Sequence, residues 1–161
     1  MAMTIKTEGL TEVSELLTKL GSKAQDVASG SLYDGAGIVA DAFTQAVNSI
    51  QTAKFKYAPP GQTRLPSPEE KAALLGKSGI AKFDKNGSEV NTIIGISGSA
   101  GYANVAGKQK AVREIARSIN SGTSFMNKQP VFRRAKSQSQ GAAKAAIVAK
   151  AEQMFDEIIN S

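Results

Sequence analysis

Lys110, Arg113 and Arg117 recur every three or four residues, and a second basic pair, Arg133-Arg134, follows shortly after. Guanidinium and ammonium groups at helical spacing recognise phosphates or carboxylates. Little else in the chain has the makings of chemistry. Cysteine and histidine are both absent, which excludes thiol nucleophiles, disulfides, Ser-His-Asp triads and the common zinc sites. A Ser-Lys or paired-carboxylate enzyme would be the remaining catalytic option. The 14 acidic residues are spread singly, apart from Glu69-Glu70 and Asp156-Glu157. The second pair falls near a helix terminus, where solvated charge is the ordinary explanation. No enzymatic role, metal or cofactor is therefore expected. The Gly-rich "SGSAGYANVAG" has neither the Gly-x-x-x-x-Gly-Lys-Ser/Thr nor the Gly-x-Gly-x-x-Gly spacing of phosphate-binding loops.

Charge is polarised along the chain. Residues 1–50 carry a net −3, residues 51–100 +3, residues 101–150 +9 and residues 151–161 −3, for a total of +6. Such polarity suits a subunit that stacks head to tail, or one that turns one face to nucleic acid; a solvated basic face is the plainer alternative. With only nine aromatics (six Phe, three Tyr) and no Trp, none of them interleaved with the basic stripe, a base-stacking platform is not expected.

The elements that must position the basic residues follow from periodicity. At 161 residues, 41% hydrophobic and 21% charged, one domain with a real core is expected over residues 1–161. "MTIKTEGL" suggests a short strand. Leu10, Val13, Leu16, Leu17 and Leu20 share a helical face, with Thr11 as cap and Gly21 as stop. A second, long helix is expected from Ala24 to Ile50, with Leu32, Ala36, Val39, Phe43, Val47 and Ile50 on one stripe. Gly30, Gly35 and Gly37 inside it imply either close approach of a neighbouring backbone or a kink. Four of the five prolines lie between Pro59 and Pro68, so residues 52–66 should form a Pro-rich extended loop. Ser67, Pro68 and Glu70 make a capping box for one short helix.

Asn86-Gly87 predicts a hairpin turn, its second strand placing Val90, Thr92, Ile94 and Ile96 on one face. Residues 97–108 read as a Gly-rich loop. A helix is expected from Lys108 to Asn120, with Val112, Ile115, Ala116 and Ile119 inward and Lys110, Arg113 and Arg117 outward. Gly122 should end it in a left-handed cap, and Pro130 should force Gln129 into an extended conformation. The last helix should run from Phe132 to Ile159 and bury Ala143, Ile147, Ala151, Met154 and Ile158. The fold class is thus α+β: a small antiparallel sheet built on a hairpin, packed against one long helix in the N-terminal half and one long C-terminal helix.

The stretch from Ile115 to Ala135 carries a resemblance. An aliphatic helix (Ile115, Ile119), a Gly-Thr turn (Gly122, Thr123), Pro130 followed by an aromatic (Phe132), and a basic-alanine run (Arg133, Arg134, Ala135) resemble the minor tail-component family of long-tailed bacteriophages. Its members are head-tail joining, or tail-completion, proteins. "KTEGLTEVSELLTKL" and "LYDGAGIVADAF" look like the family's opening strand and helices. "APPGQTRLPS" stands where the family has a Pro–Thr-Gly–Leu element, with Gly61 and Thr63 displaced. Asn120 stands where an acidic or aromatic residue is commoner.

The resemblance implies a non-enzymatic neck subunit of the virion, assembled in the host cytoplasm. Its partners would be a homo-oligomeric ring of about six copies, a portal-side connector or stopper ring, and a tail tube or tail-terminator protein. It would also touch packaged DNA non-specifically, with no membrane involved. Gly122, Thr123, Gln129, Pro130 and Phe132 would dock neighbouring subunits or partners. Lys110, Arg113, Arg117, Arg133 and Arg134 would face the DNA channel or an acidic ring. The alternatives are a tail-terminator or minor capsid protein, and a free-standing basic nucleic-acid-binding protein.

Overall fold

The computed structural model describes residues 10–53, 59–80, 84–86, 89–103 and 109–161. In chain order they form helix α1 (Leu10–Asn48), the short helix α2 (Pro68–Ala72) and strands β1 (Ser78–Ile80), β2 (Asp84–Asn86), β3 (Glu89–Asn91), β4 (Ile94–Ile96), β5 (Ser99–Ala103) and β6 (Gln109–Ala111). Helices α3 (Val112–Ser121) and α4 (Val131–Ile159) complete the chain. The strand expected within "MTIKTEGL" falls largely on residues outside those described.

The two expected N-terminal helices are one. α1 runs through Gly21 without interruption for 39 residues, about 58 Å at 1.5 Å per residue. A single glycine disfavours helix by about 1 kcal/mol, which cannot end a helix when good helix formers flank it and no proline follows. α4 packs along the C-terminal half of α1 in antiparallel sense: Gly30 faces Met154, Gly35 faces Ile147 and Phe43 meets Phe132. Close approach, not a kink, accounts for Gly35. A Cβ there would enter the Ile147 side chain and come within 2.9 Å of the Ala143 carbonyl oxygen. Gly30 is likewise filled by Met154, whereas Gly37 has nothing within 4 Å.

Small residues make this contact possible. Ser31 and Ala36 on α1 and Ala135, Ser139 and Ala143 on α4 are buried. Each serine returns its hydroxyl to a carbonyl of its own helix, Ser31 to Val27 and Ser139 to Ala135, so neither leaves a buried polar group unpaired. Of the residues expected inside α4, Ala143 and Ile158 are buried, while Ile147, Ala151 and Met154 are half-buried. In the N-terminal half of α1, residues 17–26 are exposed, except for half-buried Leu20.

Among the described residues the strands pair in three antiparallel two-stranded ladders. The hairpin exists, and β1–β4 is its base: Ser78 pairs with Ile96 and Ile80 with Ile94. β2–β3 is its outer segment, with Asn86 opposite Glu89. Asn86 is thus a strand residue, and residues 87–88, which connect the strands, lie outside those described. The single strand expected from Val90 to Ile96 is broken at Thr92-Ile93. The Gly-rich stretch is not a loop throughout. β5 pairs with β6 in an irregular ladder, Ser99 opposite Ala111 and Ala103 opposite Gln109. Glycine-rich strands offer few side chains to fix a register, which is why this pairing left no alternating pattern to read.

The core gathers the ends of the elements. Val47, Ile50, Leu74, Val112, Ile115, Ala116, Ile119 and Met126 are buried together, with Ile96, Ala100, Val131 and Phe132 packed against them. All four inward positions expected on α3 are in it. No helix of the described residues is long and apolar enough to cross a membrane.

Candidate docking surface

The junction between α3 and α4 is built from backbone geometry. α3 ends at Gly122, whose N–H donates to the Ser118 carbonyl. Its φ of +76° is positive as expected, but its ψ of 167° is extended rather than left-handed helical. Only glycine populates that region without strain. A Cβ would also lie 3.0 Å from the Lys128 Cβ and 3.2 Å from the Lys128 backbone.

Thr123 and Met126 then exchange backbone hydrogen bonds, closing a tight turn that buries Met126 and exposes Phe125. Gln129 is the anchor of the segment. Its N–H donates to the Ile119 carbonyl, 2.8 Å. Its side-chain amide accepts from the Gln51 N–H and donates to the Gln51 carbonyl, both at 2.9 Å. One residue therefore ties the segment after α1, through its side chain, to the end of α3, through its backbone. Pro130 makes a three-residue turn, with the Val131 N–H donating to the Gln129 carbonyl at 2.7 Å. α4 starts one residue earlier than expected, at Val131. Proline offers no side-chain cap, and Asn120 supplies one from α3: its Oδ1 accepts from the Arg133 N–H, 3.2 Å. Phe132 packs edge-to-face on Phe43, ring centroids 5.9 Å apart at 74°, a favoured aromatic arrangement.

The five basic residues do not form one face. Arg113, Arg117, Arg133 and Arg134 are exposed near the start of α4. Lys110 departs from the expected helical stripe because α3 begins only at Val112; it lies on β6. Its Nζ is 3.7 Å from Glu70 Oε1, and its side chain is 29% exposed. It joins a partly buried cluster around Glu70, whose carboxylate also accepts from both terminal nitrogens of Arg64, at 2.7 and 2.8 Å. The expected capping box completes the cluster, with Ser67 N–H donating to Glu70 and Glu70 N–H to Ser67 Oγ. Burial alone would raise the Glu70 pKa. The hydrogen bonds from Arg64 and Ser67, with the charges of Arg64 and Lys110, outweigh it and hold the carboxyl below its ordinary value of 4.5.

That cluster anchors the Pro-rich segment. Arg64 pairs with the turn through its N–H to the Phe125 carbonyl and its carbonyl to the Asn127 N–H, and the Thr63 hydroxyl bonds the Asn127 side chain. Residues 64–66 are thus built into the fold, while residues 54–58 lie outside those described. Lys71 donates to the carbonyls of Asn48 and Ile50, at 2.7 and 3.0 Å, capping α1. Arg64 and Lys71 carry this architecture without having been singled out in the sequence, and Asn120 was noted only as a departure within the resemblance. Their partners are distant along the chain, and only the basic residue a few positions ahead of the capping box gave a local hint.

Two depressions flank the junction. The larger, about 640 Å³, runs between α1 and α4 with Asp41 and Arg134 both on its walls. The smaller, about 320 Å³, has Phe43, Ile96, Ala116 and Phe132 as its apolar floor and Arg113 and Arg117 at its rim. Among the described residues, no three acidic side chains cluster to hold a metal. No protein-family model, no curated protein and no solved structure matches the chain.

Proposed function

We propose that the chain is a non-enzymatic structural protein of a long-tailed bacteriophage virion, a ring-forming neck subunit that joins the DNA-filled head to the tail. The observation that carries this reading is the junction from Ile115 to Ala135. Gly122, Gln129, Pro130 and Phe132 within it fix the angle between two helices and tie the junction to α1 and the segment after it. A part whose work is geometric needs such a rigid corner, with exposed arginines around it to meet an acidic ring or packaged DNA. Its partners on this reading are further copies of itself, the portal-side connector or stopper ring, and the tail tube or its terminator.

The exposed arginines near the start of α4 favour one second reading, a free-standing nucleic-acid binder held by phosphate contacts. A joining assay separates the two. Tail-less, DNA-filled heads are mixed with free tails, with and without the purified chain, and tailed particles are counted. The neck reading expects tailed particles only when the chain is present. No gain in joining, together with tight, salt-sensitive binding to bare duplex DNA, would replace it with the second.

A further inference from the structure

α4 shows apolar groups to solvent at its far end. Val148 is 55% exposed, Phe155 40% and Ile159 49%. With exposed Glu152, their spacing of four, three and four residues places them on one face of the helix. α1 covers a different face, the one bearing Ala143, Ile147 and Ile158. Asp156, also exposed, borders the stripe. The result is an apolar ridge with two carboxylates along one side.

At the other end of the same helix lies its counterpart, the depression with an apolar floor and the Arg113–Arg117 rim. Phe132 at this pocket and Phe155 on the ridge are 23 positions apart in one helix, about 35 Å at 1.5 Å per residue. The ridge therefore cannot fill the pocket of its own chain. The larger groove is a poorer seat for it, because Asp41 and Arg134 on its walls offset each other. The smaller pocket has two arginines and no carboxylate. Its volume suits a side chain or two, at the low end for a ligand site.

We infer that the acidic-apolar ridge of α4 (Val148, Glu152, Phe155, Asp156, Ile159) docks into the Arg113–Arg117 pocket of a second copy of this chain. The contact is head to tail, and heterologous contacts of that kind close into rings or extend into filaments. This deepens the ring-subunit reading by naming the surfaces that meet, and rests on it only for closure of the ring. One helix end in one shallow pocket buries less than the roughly 1,200 Å² of a standard pairwise interface. Subunits joined this way associate weakly in pairs and gain from closing on a template.

The test is sedimentation velocity of the full chain at up to about 1 mM, where a contact with a millimolar Kd is half formed. It is run at about 50 and 500 mM salt, between which the Debye length falls from above to below roughly 10 Å. Two exposed-surface variants are compared, Arg113→Glu/Arg117→Glu and Glu152→Lys/Asp156→Lys, each checked by circular dichroism. Association of the wild type is expected at low salt and should weaken at high salt. Each variant alone should lose at least about tenfold in affinity. An equimolar mixture of the two should regain it, because each reversed surface then meets a complementary one. A monomeric wild type, variants that associate like wild type, or a mixture that fails to recover would overturn the contact. Recovery in the mixture without any binding to phage heads would leave the contact standing and sink the neck reading. Head binding by variants that self-associate like wild type would do the reverse.

Discussion

Single residues set the corner between α3 and α4. Gly122 combines a positive φ with a Cβ position crowded by Lys128, 3.0 Å from its Cβ. Gly122→Val should therefore destabilise the fold by about 3 kcal/mol, the upper range for strained backbone. A urea denaturation midpoint within error of wild type would show that the turn relaxes freely. Glu70 makes a pH-dependent contribution whose sign follows from its partners. A carboxyl held below its ordinary value stabilises the fold in full above about pH 4.5, and that stabilisation is lost as pH falls through its folded-state pKa. Glu70→Gln should thus lower stability at pH 7, and its gap from wild type should shrink below about pH 4.5. A gap that stayed constant from pH 7 to 3 would mean that Arg64 and Lys110 contribute nothing through charge.

At the scale of elements, the pairing of α1 with α4 depends on which glycine is touched. Gly35→Ala should destabilise by roughly 1–3 kcal/mol, since the added methyl enters Ile147 and the Ala143 backbone. Gly37→Ala, with open space around it, should stabilise by about 0.5–1 kcal/mol through helix propensity. Thermal melts of the two variants moving in the same direction would contradict this assignment of the helix faces. Periodicity made most of this layer legible. The inward positions of α3, the stripe ending in Val47 and Ile50 and the capping box at Ser67 were all readable, because each depends on neighbours within a few positions. The joins were not. Gly21 resembled a stop because a local pattern cannot weigh one glycine against a continuous helix. Lys110 fitted a helical stripe because three- and four-residue spacing also occurs by chance where a strand runs into a helix. Gln129 and Asn120 were invisible as anchors because Gln51 and Arg133, their partners, are brought near only by the fold.

The whole molecule is a two-helix arm with a cored base, polar in charge from end to end. Arg113, Arg117, Arg133 and Arg134 sit near the corner, the last two helical turns are acidic and apolar, and neither end can satisfy the other within one chain. On the proposed neck reading, the ends of one subunit would address the next and the corner would address the rings above and below. The measurement that tests this most directly is co-sedimentation of the purified chain at near-physiological salt. The chain is spun alone, with duplex DNA, and with tail-less, DNA-filled heads. Binding to heads in a fixed stoichiometry, with little on bare DNA, is the predicted result, and the bound number gives the ring size. Strong, salt-sensitive binding to bare DNA with no preference for heads would contradict the account.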